Sequence, residues 1–518
     1  MEQLKIALIH LDVRYADTEH NRRQLVELNR EAAENGARIL VNTELAVSGY
    51  SFSSLGEVAP YAEPQNGPTA RALAEIATMH GCYIALGYAE EDPATGIYYN
   101  AVAVIGPDGM PVLNYRKITA EVRWACAGDP LQRNVFDTPW GRVGVMICSD
   151  TYYGSIPRMS ALRGADLLLV SANWPGGSLD PKEIWQARAR ENGFFLAACN
   201  RTGRDRTMEC EDACSCVYAA DGGVMLEAAS PFSTVFHASL PLVEGRIPSE
   251  RAVRLRHRTP ERYRALYLDM RYATDMTAYC RLPGPGMLQL LCQPVQDGAF
   301  PDERCFEGIF SRSGSARPEL VVLSAIGSCG FEEARLKLLD AAGRYETAFC
   351  TGFSGDGGRM RLLFCDSRGR VRTRIAGHDD FDCIDLAHAR IALAGKEELY
   401  HPEAAITLAK GGCDLVVTPA DFLDDHDRRV LGSRSIEQVA IAACASNRSF
   451  VSVPPVEHYR WAESCAEGGE PCCVQLDVPA LRRKHFYDRL DTALLLEKTS
   501  SPERTVSPEH GQNTKILP

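Results

Sequence analysis

GRVGVMICSDTYYGSIPRMSALRGADLLLV, residues 141–170, decides how this chain is read, because a worn copy of it returns later. ARIALAGKEELYHPEAAITLAKGGCDLVVT, residues 389–418, aligns with it without a gap. Arg142 meets Arg390, Tyr152 meets Tyr400, Gly164 meets Gly412 and Asp166 meets Asp414, at a constant offset of 248. Upstream, LQLLCQPVQD mirrors LKIALIHLDV, and RPELVVLS mirrors ARILVNTE. LLFCDSRGRVRTRIAG mirrors AVAVIGPDGMPVLNYRK. Collinear similarity over this length is the mark of an internal duplication.

Within the first copy, apolar runs alternate with helical patterns. KIALIHL, RILVNTE, CYIALGYAE, NAVAVIG, PVLNYRK, GRVGVMIC, ADLLLVSA, FFLAACN and SCVYAAD read as strands. HNRRQLVELNREAAENG, PTARALAEIATMHG and PKEIWQARAREN read as amphipathic helices. GPDG and DGG mark turns between strands. This alternation predicts an α/β fold with a mixed sheet. We expect a first domain over 1–268, a linker over 269–286, a degenerate second domain over 287–480, and a C-terminal tail over 481–518. The tail ends SPERTVSPEHGQNTKILP, and its low apolar content predicts partial disorder.

Composition narrows the function. The 518 residues carry a net charge of -12, which argues against a nucleic-acid partner or an anionic-membrane surface. No apolar run approaches the ~20 residues a membrane-spanning helix needs. MEQLKIALIH has no basic stretch followed by a long apolar core, so a cytoplasmic location is expected. The 19 cysteines lie mainly in apolar strands, where a thiol packs as a small hydrophobe. Cys210, Cys214 and Cys216 lack the paired spacing of a zinc site, and no metal or other cofactor is expected.

Three reactive residues end predicted strands: Glu44 after RILVNT, Lys117 after PVLNYR, and Cys148 after GRVGVMI. Together they suit thiol-based acyl transfer. A thiolate is the nucleophile, a carboxylate can take the thiol proton, and an ammonium can neutralise the oxyanion. The backbone N–H of Ser149 would add a second oxyanion donor. Glu121, four residues after Lys117, would orient water or hold Lys117. Tyr152, Asn173 and Trp174 follow strand ends and are candidate substrate contacts. In the second copy Lys396 replaces Cys148, Gly377 stands opposite Lys117, and Ala325 or Ile326 stands near the place of Glu44. The second copy therefore reads as scaffold, and the first as the carrier of the chemistry.

NTELAVSGY, YRKIT, EVRWACAGD and GVMICSD resemble the signature segments of the nitrilase superfamily, the carbon–nitrogen hydrolases. SANW, ARENGFFLAACNRTG and SCVYAADGG follow the same pattern. The resemblance implies an α-β-β-α sandwich bearing a Glu–Lys–Cys triad with a second Glu, carried here by Glu44, Lys117, Cys148 and Glu121. It also implies a hydrolase acting on a small-molecule amide. Cys148-Ser149-Asp150 departs from the Cys-Trp-Glu of nitrile-cleaving members, which favours amides or N-carbamoyl compounds over nitriles. An acyltransferase and a ligand-binding protein on the same scaffold are the readings of other classes. Family members commonly pair through one face, so the second copy is expected to form an intrachain pseudo-dimer, with homo-oligomerisation left open.

Overall fold

The apolar strands of each copy sort into two six-stranded sheets. A computed structural model describes residues 2–295, 298, 300–312, 317–327, 330–354, 359–456 and 460–498. The first sheet runs Thr234–Pro241, Gln3–His10, Ile39–Asn42, Tyr83–Asp92, Ile97–Ile105, Pro111–Arg116. The second runs Val135–Thr138, Gly141–Ile147, Leu167–Ser171, Phe195–Cys199, Ser215–Tyr218, Val224–Ala228. Both are mixed: parallel pairs at the centre are joined to antiparallel partners outside them.

Alternation along the strands builds the layers. Leu4, Ile6 and Leu8 point between the sheets, where they meet Val143, Val145, Leu167 and Leu169. Ala7 and Ile9 point the other way, into a layer with Leu25 and Leu28 of helix Thr18–Glu34 and Leu73 and Ile76 of helix Pro68–His80. Asp17 caps the first of these helices, and the second starts on Pro68 and stops at left-handed Gly81. On the far face, Ile156 and Met159 of helix Ser155–Leu162 and Trp185 of helix Lys182–Asn192 cover the second sheet. The result is the α-β-β-α sandwich.

The second copy repeats this topology strand for strand. Cys472–Asp477, Met287–Gln293, Leu320–Leu323, Ala348–Ser354, Met360–Cys365, Val371–Ile375 form one sheet. Cys383–Asp385, Arg390–Leu393, Leu415–Pro419, Ala440–Cys444, Arg448–Val453, Ala462–Glu467 form the other. Among the described residues no helix is long and apolar enough to cross a membrane, no disulfide forms, and no cluster of His, Cys, Asp or Glu could hold a metal ion.

Helices Ser155–Leu162 and Lys182–Asn192, which follow strand Gly141–Ile147, also face the second copy. Ala404, Ile406 and Ile436 complete their apolar cluster. Fully buried charges cross the same boundary. Arg434 pairs with Glu191 at 2.5 Å, Glu403 with Arg258 at 2.9 Å and with Arg158 at 3.8 Å, and Glu437 accepts from the Gly154 N–H at 2.9 Å. Part of the predicted tail belongs to this packing. Residues 482–497 run back over the first sandwich and include helix Thr492–Leu496 with Leu495 fully buried, while 499–518 lie outside the described residues.

Candidate active site

Glu44, Lys117, Glu121 and Cys148 meet where three strands end, and none is more than 9 % exposed. Lys117 Nζ lies 2.6 Å from Glu44 Oε1 and 2.5 Å from Glu121 Oε1. Asn100 bridges the same two carboxylates, its Nδ2 donating at 2.8 Å to Glu44 Oε1 and to Glu121 Oε2. The Tyr50 hydroxyl adds a contact to Glu121 Oε1 at 3.3 Å. These partners leave Glu44 Oε2 for the Cys148 thiol.

Local backbone explains the convergence. Cys148 has φ +45°, a left-handed conformation that a non-glycine residue adopts only when held, at a cost of about 1–3 kcal/mol. Asp150 holds it. Its carboxylate accepts from Ile147 N at 3.3 Å, Thr119 N at 2.9 Å and the Tyr115 hydroxyl at 2.8 Å. Thr151 Oγ1 donates to the Cys148 carbonyl at 2.7 Å, and the Asn173 N–H points at the thiol. Glu44 is stapled to the opposite sheet, since its N–H and the Thr43 hydroxyl both donate to the Ala172 carbonyl.

The two carboxyls are driven apart. Burial, joined by the Glu121 charge, raises Glu44 above its ordinary range despite Lys117 and Asn100. Burial also acts on Glu121, but there Lys117 and Asn100 win, and its carboxyl is lowered. Burial would strip Lys117 of its proton, yet Glu121 and Glu44 hold the ammonium well above its ordinary value. Burial, then the Glu44 charge, pushes the Cys148 thiol well up, against Lys117 and the Asn173 N–H. The resting site thus contains a protonated thiol, a fixed ammonium, one committed carboxylate and one carboxyl poised to carry a proton.

The remaining expected residues divide. Ser149 Oγ pairs with Thr119 Oγ1 at 2.8 Å. Asn173 receives the Cys210 thiol on its Oδ1 at 3.5 Å, which brings a second cysteine to the site. Trp174 is fixed by reciprocal backbone bonds to Asn200 and packs on Tyr152. Tyr152 and Tyr153 form one wall of a cavity of about 550 Å³, lined otherwise by second-copy residues such as Val451 and Leu476 and by Arg483 of the segment that follows. Asn100, Tyr50 and Asp150 were not picked out from the sequence as site residues, and Cys210 was weighed there only as part of a metal cluster.

The second copy lacks the reactive set, with one adjustment to the expected pairing. The Lys117 N–H bonds the Asn100 carbonyl as that of Ala376 bonds Met360, so Ala376, not Gly377, stands opposite Lys117. A β-bulge between Val104 and Ile105 gives the first copy one extra residue and shifts the register. Ala325 occupies the place of Glu44, since its N–H bonds the Ala420 carbonyl as that of Glu44 bonds Ala172. Lys396 opens an ordinary helical turn, Lys396–Leu399, and pairs with Asp427 at 3.1 Å. The carboxylate that holds the turn persists: Glu398 bonds the Gly395 N–H and Arg374, as Asp150 bonds Ile147 and Tyr115.

A family model described as carbon-nitrogen hydrolase matches residues 5–246. A nitrilase from Pyrococcus abyssi is 32% identical over 209 residues, 40% of this chain and 78% of that protein. An omega-amidase from Homo sapiens is 30% identical over 220 residues, 40% of this chain and 77% of that protein. Among solved structures, an amidase from Nesterenkonia sp. is 23% identical with a TM-score of 0.40, covering 46% of this chain and 90% of that one.

Proposed function

Because this chain belongs to the carbon–nitrogen hydrolase family of the nitrilase superfamily, we propose that it hydrolyses a small amide through a thioester on Cys148. The observation that carries the reading is the buried Lys117 ammonium held between two carboxyls of opposite pKa direction, beside a thiol. Cys148 Sγ attacks the amide carbon as Glu44 takes the thiol proton, so the thiolate never has to exist alone in a buried site. Lys117 and the Ser149 N–H face the oxyanion that forms. Glu44 passes its proton to the leaving nitrogen, the C–N bond breaks, and ammonia or an amine departs. Water then adds to the thioester carbon, giving one proton to Glu44. The C–S bond breaks, and Cys148 recovers its proton as the acid leaves. Glu121 stays ionised throughout and keeps Lys117 in place.

Near-complete burial of all four residues supports a small substrate. We read the second sandwich as an intrachain partner packed on the helices behind the nucleophile. Ammonia release from a panel of small amides, N-carbamoyl amino acids and nitriles tests the chemistry, with Cys148→Ala alongside. Release from amides that disappears in the variant is the expected result. Equal turnover by Cys148→Ala would overturn the thioester.

A further inference from the structure

The loop bearing Lys117 and Glu121 occupies residues 117–128, after strand Pro111–Arg116. Its ends meet, since the Gly128 N–H donates to the Lys117 carbonyl at 2.8 Å. The next carbonyl, that of Ile118, accepts from the Tyr487 hydroxyl at 2.8 Å. The Tyr487 ring stacks on Tyr153, with centroids 4.6 Å apart and planes 15° apart. Arg489 donates to the Gly128 carbonyl at 2.9 Å and to that of Ala127 at 3.5 Å. Two neighbouring side chains thus hold both ends of the lysine loop and touch the turn downstream of the nucleophile.

The segment that carries them is anchored on both sandwiches. On the second copy, Lys484 Nζ donates to the Cys413 and Gln438 carbonyls at 2.8 and 2.6 Å, and Asp488 pairs with Lys410 at 2.6 Å. On the first, Asp491 pairs with Arg163 at 3.0 Å, and Arg258 donates to the Leu495 carbonyl. Tyr487 and Arg489 sit between these anchors, over the loop. A lysine that must stay bonded to two carboxyls and still face an acyl oxygen tolerates little drift of its backbone. Nothing in the first sandwich bonds the Ile118 carbonyl among the described hydrogen bonds.

We propose that residues 482–497 form a brace that aligns Lys117 and Glu121 for catalysis, with Tyr487 and Arg489 as its positioning residues. The second sandwich then contributes to turnover by holding one end of the brace, although it has no reactive set of its own. The proposal rests on the thioester reading above, and neither side chain touches the reacting atoms.

Tyr487→Phe in the full chain keeps the stacked ring and deletes only the hydroxyl. Two readouts separate positioning from simple support. One is kcat and KM on the fastest amide of the panel. The other is the pH dependence of Cys148 carboxamidomethylation by iodoacetamide, followed by peptide mass mapping, with Lys117→Ala as reference. Tyr487→Phe is expected to lower kcat about 5- to 20-fold, the effect of one lost hydrogen bond, with KM within about twofold. The alkylation midpoint should move up in the same direction as in Lys117→Ala, because Lys117 opposes the effect of burial on the thiol. If Tyr487→Phe fails to fold, Arg489→Ala is read in the same way. A lower melting temperature with kcat and alkylation unchanged would make the brace structural only and overturn the inference. If Lys117→Ala itself changes neither readout, there is no lysine function for the brace to align and the inference falls, whereas failure of the thioester reading shows separately as undiminished turnover by Cys148→Ala.

Discussion

Glu44 and Glu121 share one lysine and one asparagine yet are pushed in opposite directions, and that difference has a kinetic signature. In the proposed mechanism Glu44 accepts a proton, so kcat/KM should fall on acidification through a midpoint above 4.5, the ordinary value for this carboxyl. An acid limb at or below that value would rule out Glu44 as the base. Asn100→Leu removes a bond that favours ionised Glu44, so the midpoint should rise further. Leaving two buried carboxyls short of a donor costs about 1–3 kcal/mol, so kcat should drop about 10- to 100-fold. Cys148, Glu44 and Lys117 were legible because each is a reactive group ending an apolar strand and is replaced in the duplicate. Asn100 carried the same contrast, facing Met360 across the repeat. A buried amide within a strand resembles any satisfied core polar group, which hides it in the sequence.

At the level of elements, strands and helices with a full apolar face could be read directly. Val224–Ala228 could not, because it is an edge strand whose Val224 is 57 % exposed, so no apolar run marks it. Register across the bulge also escaped, since one inserted residue leaves the hydrophobic pattern almost unchanged while displacing the partner of Lys117. Close approach of strands yields a matched pair of predictions. A Cβ on Gly87 would lie 2.2 Å from the Thr43 carbonyl oxygen and 3.0 Å from Glu44 Cα, both backbone. Gly87→Ala should therefore displace Glu44, cost about 1–3 kcal/mol and abolish most activity. The equivalent Gly352 faces the Met360 side chain at 2.6 Å, which can move. Gly352→Ala should leave melting temperature and turnover near wild type. Equal losses in the two variants would refute the backbone argument.

For the whole molecule, the boundary between copies is built on buried charge as well as apolar surface. Burial would raise the Glu403 carboxyl, but Arg258 and Arg158 hold it at about 2, below its ordinary 4.5. A depressed carboxylate stabilises fully above its unfolded value and less as pH falls toward its folded one. The contribution is about 3 kcal/mol, present above pH ~4.5 and lost on the way to pH ~2. Thermal unfolding followed across that window should weaken steeply for wild type and much less for Glu403→Gln. Parallel curves would remove Glu403 from the account. The duplication was plain in the sequence, whereas these contacts were not. Charged residues such as Arg158, Glu191, Glu403 and Arg434 look like solvent-facing helix residues until a second surface covers them.

The bond between Tyr487 and Ile118 also sets a schedule for biosynthesis, since 369 residues separate its partners. At roughly 5–20 residues per second, the ribosome takes about 20 to 70 s to make the far partner after the near one. Once Pro241 has completed the strands of the first sandwich, its sheets can close around Cys148 while the lysine loop still waits for that contact.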